Sequence, residues 1–250
     1  MKKNIVVFTT GSSGSSVLTG LIATQGYWLG EETKKLNFDT YENSELVDLN
    51  IEILKASGFG RRDCNDIPPP SIEKISQLKK TLNPDIFQKF IDKCNANGPW
   101  LWKDPRLSYT IHFWDQFSEV NNADFIFIDR DPFQSYSGLI LSRKIPMSFK
   151  EHGQMNSNYH KSYMKYLENN GLFDHKFVFE DLIINPQEFI KKINKIYNLN
   201  IEFKDLTNIY KGVLFKKRYR TFSILKAFIY YYLYRYLKRE KITFPRRDNI

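Results

Sequence analysis

"FTTGSSGSSVLTG", residues 8 to 20, is the stretch from which the fold is read. An apolar run, "NIVVFT" at 4 to 9, stops in six small residues, Gly11 to Ser16, and a helical pattern runs from Ser15 to Thr24. A strand that turns through Ser and Gly into a helix offers backbone N–H groups and the positive helix end to an anion. Ser12, Ser13, Ser15 and Ser16 add hydroxyl donors to Gly11 and Gly14. The Walker pattern, which ends in Gly-Lys-Ser/Thr, is absent, so the positive charge must come from elsewhere. The plainer alternative is a flexible β-to-α connection.

The rest of the chain repeats the alternation. "PWLWK" (99 to 103), "ADFIFID" (123 to 129) and "HKFVFED" (175 to 181) read as strands. Helices are expected after Asn43, over 71 to 80 and 84 to 95, from 104 to Phe117, from Pro132, over 149 to 168, from Pro186 to Tyr197, and over 222 to 239. Strands alternating with helices predict an α/β fold, a central parallel sheet flanked by helices. At 250 residues, 42% of them hydrophobic, the expectation is one domain over 1–250 with a basic amphipathic helical segment at about 203–250.

Two cysteines, Cys64 and Cys94, do not make a disulfide framework, and reduced thiols are expected. The apolar run after Lys2 and Lys3 is too short for a secretory signal and no uncharged stretch reaches membrane-spanning length, so a cytoplasmic protein is expected. The net charge of +9 sits at one end: residues 201 to 250 hold 13 Lys/Arg against 4 Asp/Glu, and the first 200 balance at 24 against 24. That excludes a nucleic-acid binder over the whole length and points to a polyanion or a membrane surface at the C-terminal end.

Four stretches in order, "GLIATQGYWLGEE" (20 to 32), "WLWKDPRLSYTIHFW" (100 to 114), "FIFIDRDPFQSYSGLILSRK" (125 to 144) and "FVFEDLIINPQEFIKKI" (177 to 193), follow the Ser/Gly loop. Together with it they resemble the sulfotransferases that use 3'-phosphoadenosine 5'-phosphosulfate (PAPS), in particular the bacterial carbohydrate-type branch, over roughly residues 4 to 197. The resemblance implies a nucleotide-kinase-like sheet, a loop at Gly11 to Ser16 around the 5'-phosphosulfate, and Arg130 on the 3'-phosphate. For Arg130 an ordinary ion pair with Asp129 or Asp131 is the alternative. In two places this chain departs from the family: Ser12 stands where relatives carry Arg or Lys, and Gly138 where they carry a serine for the 3'-phosphate. Ser137, next to Gly138, is the candidate replacement, with Ser135 behind it.

Sulfuryl transfer needs a general base for the acceptor hydroxyl and positive charge for the leaving nucleotide. Lys103 and Arg106, at the C-terminal end of a predicted strand and within the family-like "WKDPRL", are the candidate cations. An ion-pair network with Asp104, bracing the sheet edge, is the competing role. Glu42 in "DTYEN" is the first candidate base, in a region that lines the acceptor side in related enzymes. Helix-start electrostatics would equally explain it. Glu45 and Glu31 are substitutes, and His112, inside an apolar helix, reads as structural. No metal is expected, because the four histidines show no ligand spacing with the cysteines.

The acceptor, a carbohydrate or other small molecule, is expected between 27–42, 56–72 and 144–165, where Trp28, Tyr41, Tyr159 and Tyr163 suit stacking or packing. A kinase-like phosphotransferase, and a binding protein that has lost catalysis, are the rival readings. In "FSILKAFIYYYLYRYLKREK" (222 to 241), Leu225, Ile229, Tyr232 and Tyr236 share one face with Phe222 and Leu233 beside them. That face is expected to cover the core, with peripheral membrane contact as the alternative. Lys216, Lys217 and Arg218 loosely resemble a basic segment that closes over the nucleotide.

Overall fold

A computed structural model describes residues 2–35, 39–60, 68–212, 214 and 221–237. The chain opens with β1 (Ile5–Thr9) and α1 (Ser15–Ala23), then a hairpin of β2 (Thr33–Lys35) and β3 (Asp39–Asn43). Next come α2 (Ser44–Ala56), α3 (Ile72–Gln77) with a 3-10 turn at Leu78–Lys80, α4 (Asp85–Ala96), β4 (Leu101–Lys103), α5 (Leu107–Trp114) and α6 (Ser118–Asn121). β5 (Asp124–Asp129), α7 (Pro132–Arg143), α8 (Phe149–Asn169) and β6 (Asp174–Val178) follow. The chain then runs through α9 (Phe179–Ile184), α10 (Pro186–Tyr197), α11 (Phe203–Ile209) and α12 (Thr221–Leu237).

β4, β1, β5 and β6 pair in that order into one sheet, every pair parallel, and β2 and β3 pair antiparallel. Alternate residues of a strand face opposite sides, so a sheet covered twice needs apolar residues at every position. β1 meets this: Val6 and Phe8 join the core under α2–α5, α7 and α8, while Ile5 and Val7 join the core under α1 and α9–α11. The fold is therefore α/β, a parallel sheet flanked by helices on both faces.

The chain leaves β1 for β4 on one side and returns to β5 on the other, which makes β1 the switch point. In open α/β sheets the crevice beyond the strand C-termini at that point is where ligands bind. The register brings Lys103 beside Val7, Ile128 beside Thr9, and Val178 beside Asp129, so the turns after β1, β4 and β5 share one edge.

Three expectations are corrected. The strand expected over 175–181 ends at Val178, and Phe179–Ile184 is helical. "DTYEN" is itself a strand, and the hairpin it makes with β2 has no counterpart among the expected elements. The third concerns α12, whose stripe of Leu225, Ile229, Tyr232 and Tyr236 faces outward at 56%, 44%, 59% and 68% exposure. Ala227 and Tyr230 are buried instead, where the helix packs on α7. A small Ala lets two helices approach closely, and the ring of Phe228 settles on Tyr136 and Phe149 with centroids 5.2 and 5.9 Å away.

The loop that ends β1 sets one requirement for this architecture. Gly14, the residue before α1, has φ +82°, and a Cβ there would collide with the Phe179 ring; Gly11 has φ +80° but faces open space. Gly11→Ala should cost about 1 kcal/mol from backbone strain alone, and Gly14→Ala about 2–4 kcal/mol because overpacking adds to it. Urea unfolding of the two variants measures this, and equal losses would contradict it.

Candidate active site

The loop after β1 is tightly turned and held to the strand by its own hydroxyls. Gly11, Ser12 and Gly14 all have positive φ, at 80°, 52° and 82°. Left-handed residues of this kind turn successive backbone N–H groups inward and form an anion-binding concavity. The first turn of α1 adds N–H groups that lie outside the helical ladder. Thr9 and Ser13 share a hydroxyl hydrogen bond of 2.6 Å, and the Gly11 N–H donates to Thr9 Oγ1 at 3.2 Å. Ser13 is buried, so its hydroxyl pins the loop to β1. Ser15 is buried as well, whereas Ser12 and Ser16 are half-buried.

Lys103 ends β4 and is 2% exposed. Its ammonium donates to Glu42 Oε1 at 2.6 Å, to the Thr40 carbonyl at 3.0 Å, and makes a longer contact of 3.4 Å to Ser16 Oγ. One cation thus joins the end of β4, the hairpin and the first turn of α1. Glu42, with its side chain 13% exposed, stands directly beside it. The two residues proposed from sequence for opposite chemical roles are partners in one ion pair.

Arg106 belongs to a different network. Its Nη1 and its backbone N–H donate to Asp104 Oδ1 at 2.8 and 3.0 Å. Asn50 Nδ2 donates to Asp104 Oδ2 at 2.8 Å, and Thr110 and Trp114 donate to Asn50 Oδ1 at 2.7 and 2.8 Å. Burial pushes the fully buried Asp104 carboxyl above the usual range, Arg106 opposes that shift, and Glu42 adds to it. The bracing role weighed for "KDPR" thus falls to Asp104 and Arg106, and Lys103 turns away toward the loop.

Arg130 follows β5. Its Nη1 donates to the Ser12 carbonyl at 2.9 Å, its guanidinium lies 5.1 Å from the Phe179 ring centroid, and its Nε stands 3.7 Å from Glu180 Oε1. The aspartates beside it serve the backbone: Asp129 accepts the Arg130 N–H, and Asp131 caps α7 through Phe133 and Gln134. Glu180 was not foreseen; its signal was a carboxylate just past the last strand, in "FVFED". It also accepts the Asp131 N–H at 3.1 Å, yet burial raises its carboxyl above the usual range.

A Cβ at Gly138 would stand 3.7 Å from both Arg130 Nη1 and Ser12 Cβ. Gly138 therefore faces the loop and leaves room there. Ser137 is buried and donates to the Gln134 carbonyl at 3.0 Å, within its own helix, and Ser135 contacts His152 Nε2 at 3.2 Å.

The remaining candidates lie elsewhere. Glu45 and Glu31 both pair with Lys93, at 2.9 and 3.1 Å. His112 is buried with Nε2 2.9 Å from the Ser162 carbonyl, and burial lowers its pKa, as suits a structural histidine. Tyr159 and Tyr163 are buried and stack in the core, Tyr163 on Phe8 and Phe127, so they pack rather than line an acceptor cleft. Cys94 is buried, with its thiol pushed up to about 12 by burial. Cys64, Lys216, Lys217 and Arg218 lie outside the described residues.

No protein-family model matches the chain, and no curated protein matches it. Among solved structures it is similar to the sulfotransferase domain of the Synechococcus PCC 7002 olefin synthase, at 16% identity and a TM-score of 0.47, over 89% of this chain and 83% of that one. It is also similar to a sulfotransferase domain from the curacin biosynthetic pathway, at 15% identity and a TM-score of 0.47, over 98% and 93%.

A buried ion pair makes its own forecast. Removing one partner leaves the other charge unpaired, which typically costs about 3–5 kcal/mol, whereas removing both costs much less. Lys103→Met and Glu42→Gln should therefore each destabilise the protein, and the double variant should lose less than the sum of the two single losses. A double-mutant cycle by urea unfolding should show a coupling of about 1–3 kcal/mol. Additive losses would separate the two residues.

Proposed function

We propose that this chain is a sulfotransferase that takes a sulfuryl group from PAPS to a hydroxyl of a carbohydrate or other small metabolite. The observation that carries the reading is the placement of Lys103. The loop beyond β1 lacks a cation, and the neighbouring strand delivers a buried ammonium to Ser16 within it, already in contact with the candidate base. Open space at Gly11 and the lack of a side chain at Gly138, beside Arg130 and Ser12, support a nucleotide at this edge.

PAPS supplies the sulfuryl group and a good leaving group, so the tasks left to the protein are orientation, a proton acceptor and positive charge. Backbone N–H groups of the loop and the Ser12 and Ser16 hydroxyls hold the 5' end. The guanidinium of Arg130, aligned by Glu180 and Phe179, presents a fork to the 3'-phosphate. Glu42 accepts the proton of the attacking hydroxyl, and the hydrogen bond from Lys103 orients its carboxylate. Lys103 donates to the oxygen on which negative charge grows. In a site this enclosed the donation is strong, because water competes little for it. Arg106 acts at one remove, by holding Asp104 and the turn after β4.

Transfer from radiolabelled PAPS into a pool of hydroxyl acceptors tests the assignment. Lys103→Met should lower turnover by on the order of a hundredfold or more, the usual loss for one preorganised donor. Adding Ser12→Arg, which returns a cation to the loop, should recover part of that loss. Glu42→Gln should abolish turnover and leave nucleotide affinity nearly unchanged, and Arg130→Ala should weaken adenosine 3',5'-bisphosphate far more than AMP. Turnover near wild type in Lys103→Met, or equal losses for the two nucleotides in Arg130→Ala, would overturn these roles.

A further inference from the structure

α12 carries an apolar face that stays exposed among the described residues. Phe222, Leu225, Ile229, Tyr232 and Tyr236 recur at intervals of three and four and are 68%, 56%, 44%, 59% and 68% exposed. The patch continues onto the body of the protein: Phe228, 37% exposed, touches Phe149, which stacks at 4.7 Å on Phe133, itself 43% exposed. Contiguous apolar surface of this kind marks an interaction site.

At 100° per residue, Lys226 and Arg235 fall on opposite edges of the stripe. Arg143, Lys144 and Lys150, all exposed, lie at the end of α7 and the start of α8, and the Lys144 ammonium lies 5.1 Å from the Tyr230 ring centroid. Glu151, which feels the charge of Arg235, is already engaged by the Ser148 N–H at 2.6 Å in the capping box of α8. The final fifty residues of the sequence, Lys226 and Arg235 among them, hold 13 Lys/Arg against 4 Asp/Glu.

We propose that α12 lies in the plane of an anionic lipid surface, with its Phe/Leu/Ile/Tyr face among the headgroups and its basic edges on the lipid phosphates. Aromatic rings with a polar tip suit the headgroup layer, and each basic residue near an anionic leaflet adds about 1 kcal/mol of attraction. No helix of the described residues is long and apolar enough to cross a membrane, so contact is lateral. The charge argues against a second copy of this chain as the occupant, because facing two such helices would set like-charged edges together. A nucleic acid or sulfated polymer would satisfy the cations and gain nothing from Leu225 or Ile229.

Flotation of the full 250-residue chain with lipid vesicles tests this. The protein should float with phosphatidylcholine and phosphatidylglycerol mixed at about two to one, stay behind with phosphatidylcholine alone, and come off as salt rises. The triple variant Leu225→Gln, Ile229→Gln, Tyr232→Gln alters only side chains at least 44% exposed, so its melting temperature should hold. Its partition should fall by about tenfold or more. Lys226→Gln with Arg235→Gln should weaken binding to the mixed vesicles and remove much of its salt dependence. Three results would overturn the proposal: no flotation at low salt, equal flotation by the triple variant, or a wild-type dimer in solution that the triple variant splits.

Discussion

A lysine ammonium taken out of water costs several kcal/mol unless acceptors surround it. Lys103 is in that position, and much of the site is arranged around it. The Glu42 carboxylate and the Thr40 carbonyl meet it from the hairpin and the Ser16 hydroxyl from α1, while β4 fixes its own backbone against Val7 of β1. The hairpin can reach it because Gly20 has no side chain: a Cβ there would come within 2.8 Å of the Tyr41 ring. A small residue in the middle of α1 therefore lets the strand that carries Glu42 settle on the loop that carries Ser16.

The sheet supplies the rest of the geometry. Because the chain crosses from β4 to β5 over β1, the loop, Lys103 and Arg130 all emerge at one edge from three adjacent strands. Each cation there has a carboxylate: Glu42 for Lys103, Asp104 for Arg106 and Glu180 for Arg130. This pairing balances the charge of the three cations at the edge. It also ranks the three. Asp104 is sealed in by Asn50 and fixes Arg106 as a brace, whereas the looser 3.7 Å contact of Glu180 aims Arg130 while it reaches Ser12.

The sheet and the loop were legible in the sequence because each rests on local signals. "NIVVFT" and "ADFIFID" have the unbroken apolar runs of strands buried on both faces, and six small residues between strand and helix have few other uses. The caps at Asn43 and Ser148 are local as well. The hairpin was not legible: "TKK" and "DTYEN" are short and polar, and "DTYEN" packs on α1 and β4 through contacts that no spacing announces. Helix phase was the other limit. Periodicity found the stripe on α12 but could not say which side met α7, and Ala227, not the aromatic row, decided it. The same limit applies to α7, where Gly138 faces Arg130 and Ser137 turns into its own helix.

On the proposed function, this edge of the sheet takes a nucleotide phosphorylated at both 3' and 5', with the charge for the 5' end delivered by Lys103. Titration calorimetry of the wild-type protein with adenosine 3',5'-bisphosphate, AMP and ADP tests it most directly. The account predicts that the bisphosphate binds at least about tenfold more tightly than either of the others, as one charge-assisted fork contact of 1.5 kcal/mol or more requires. Binding of ADP as tight as that of the bisphosphate would contradict it.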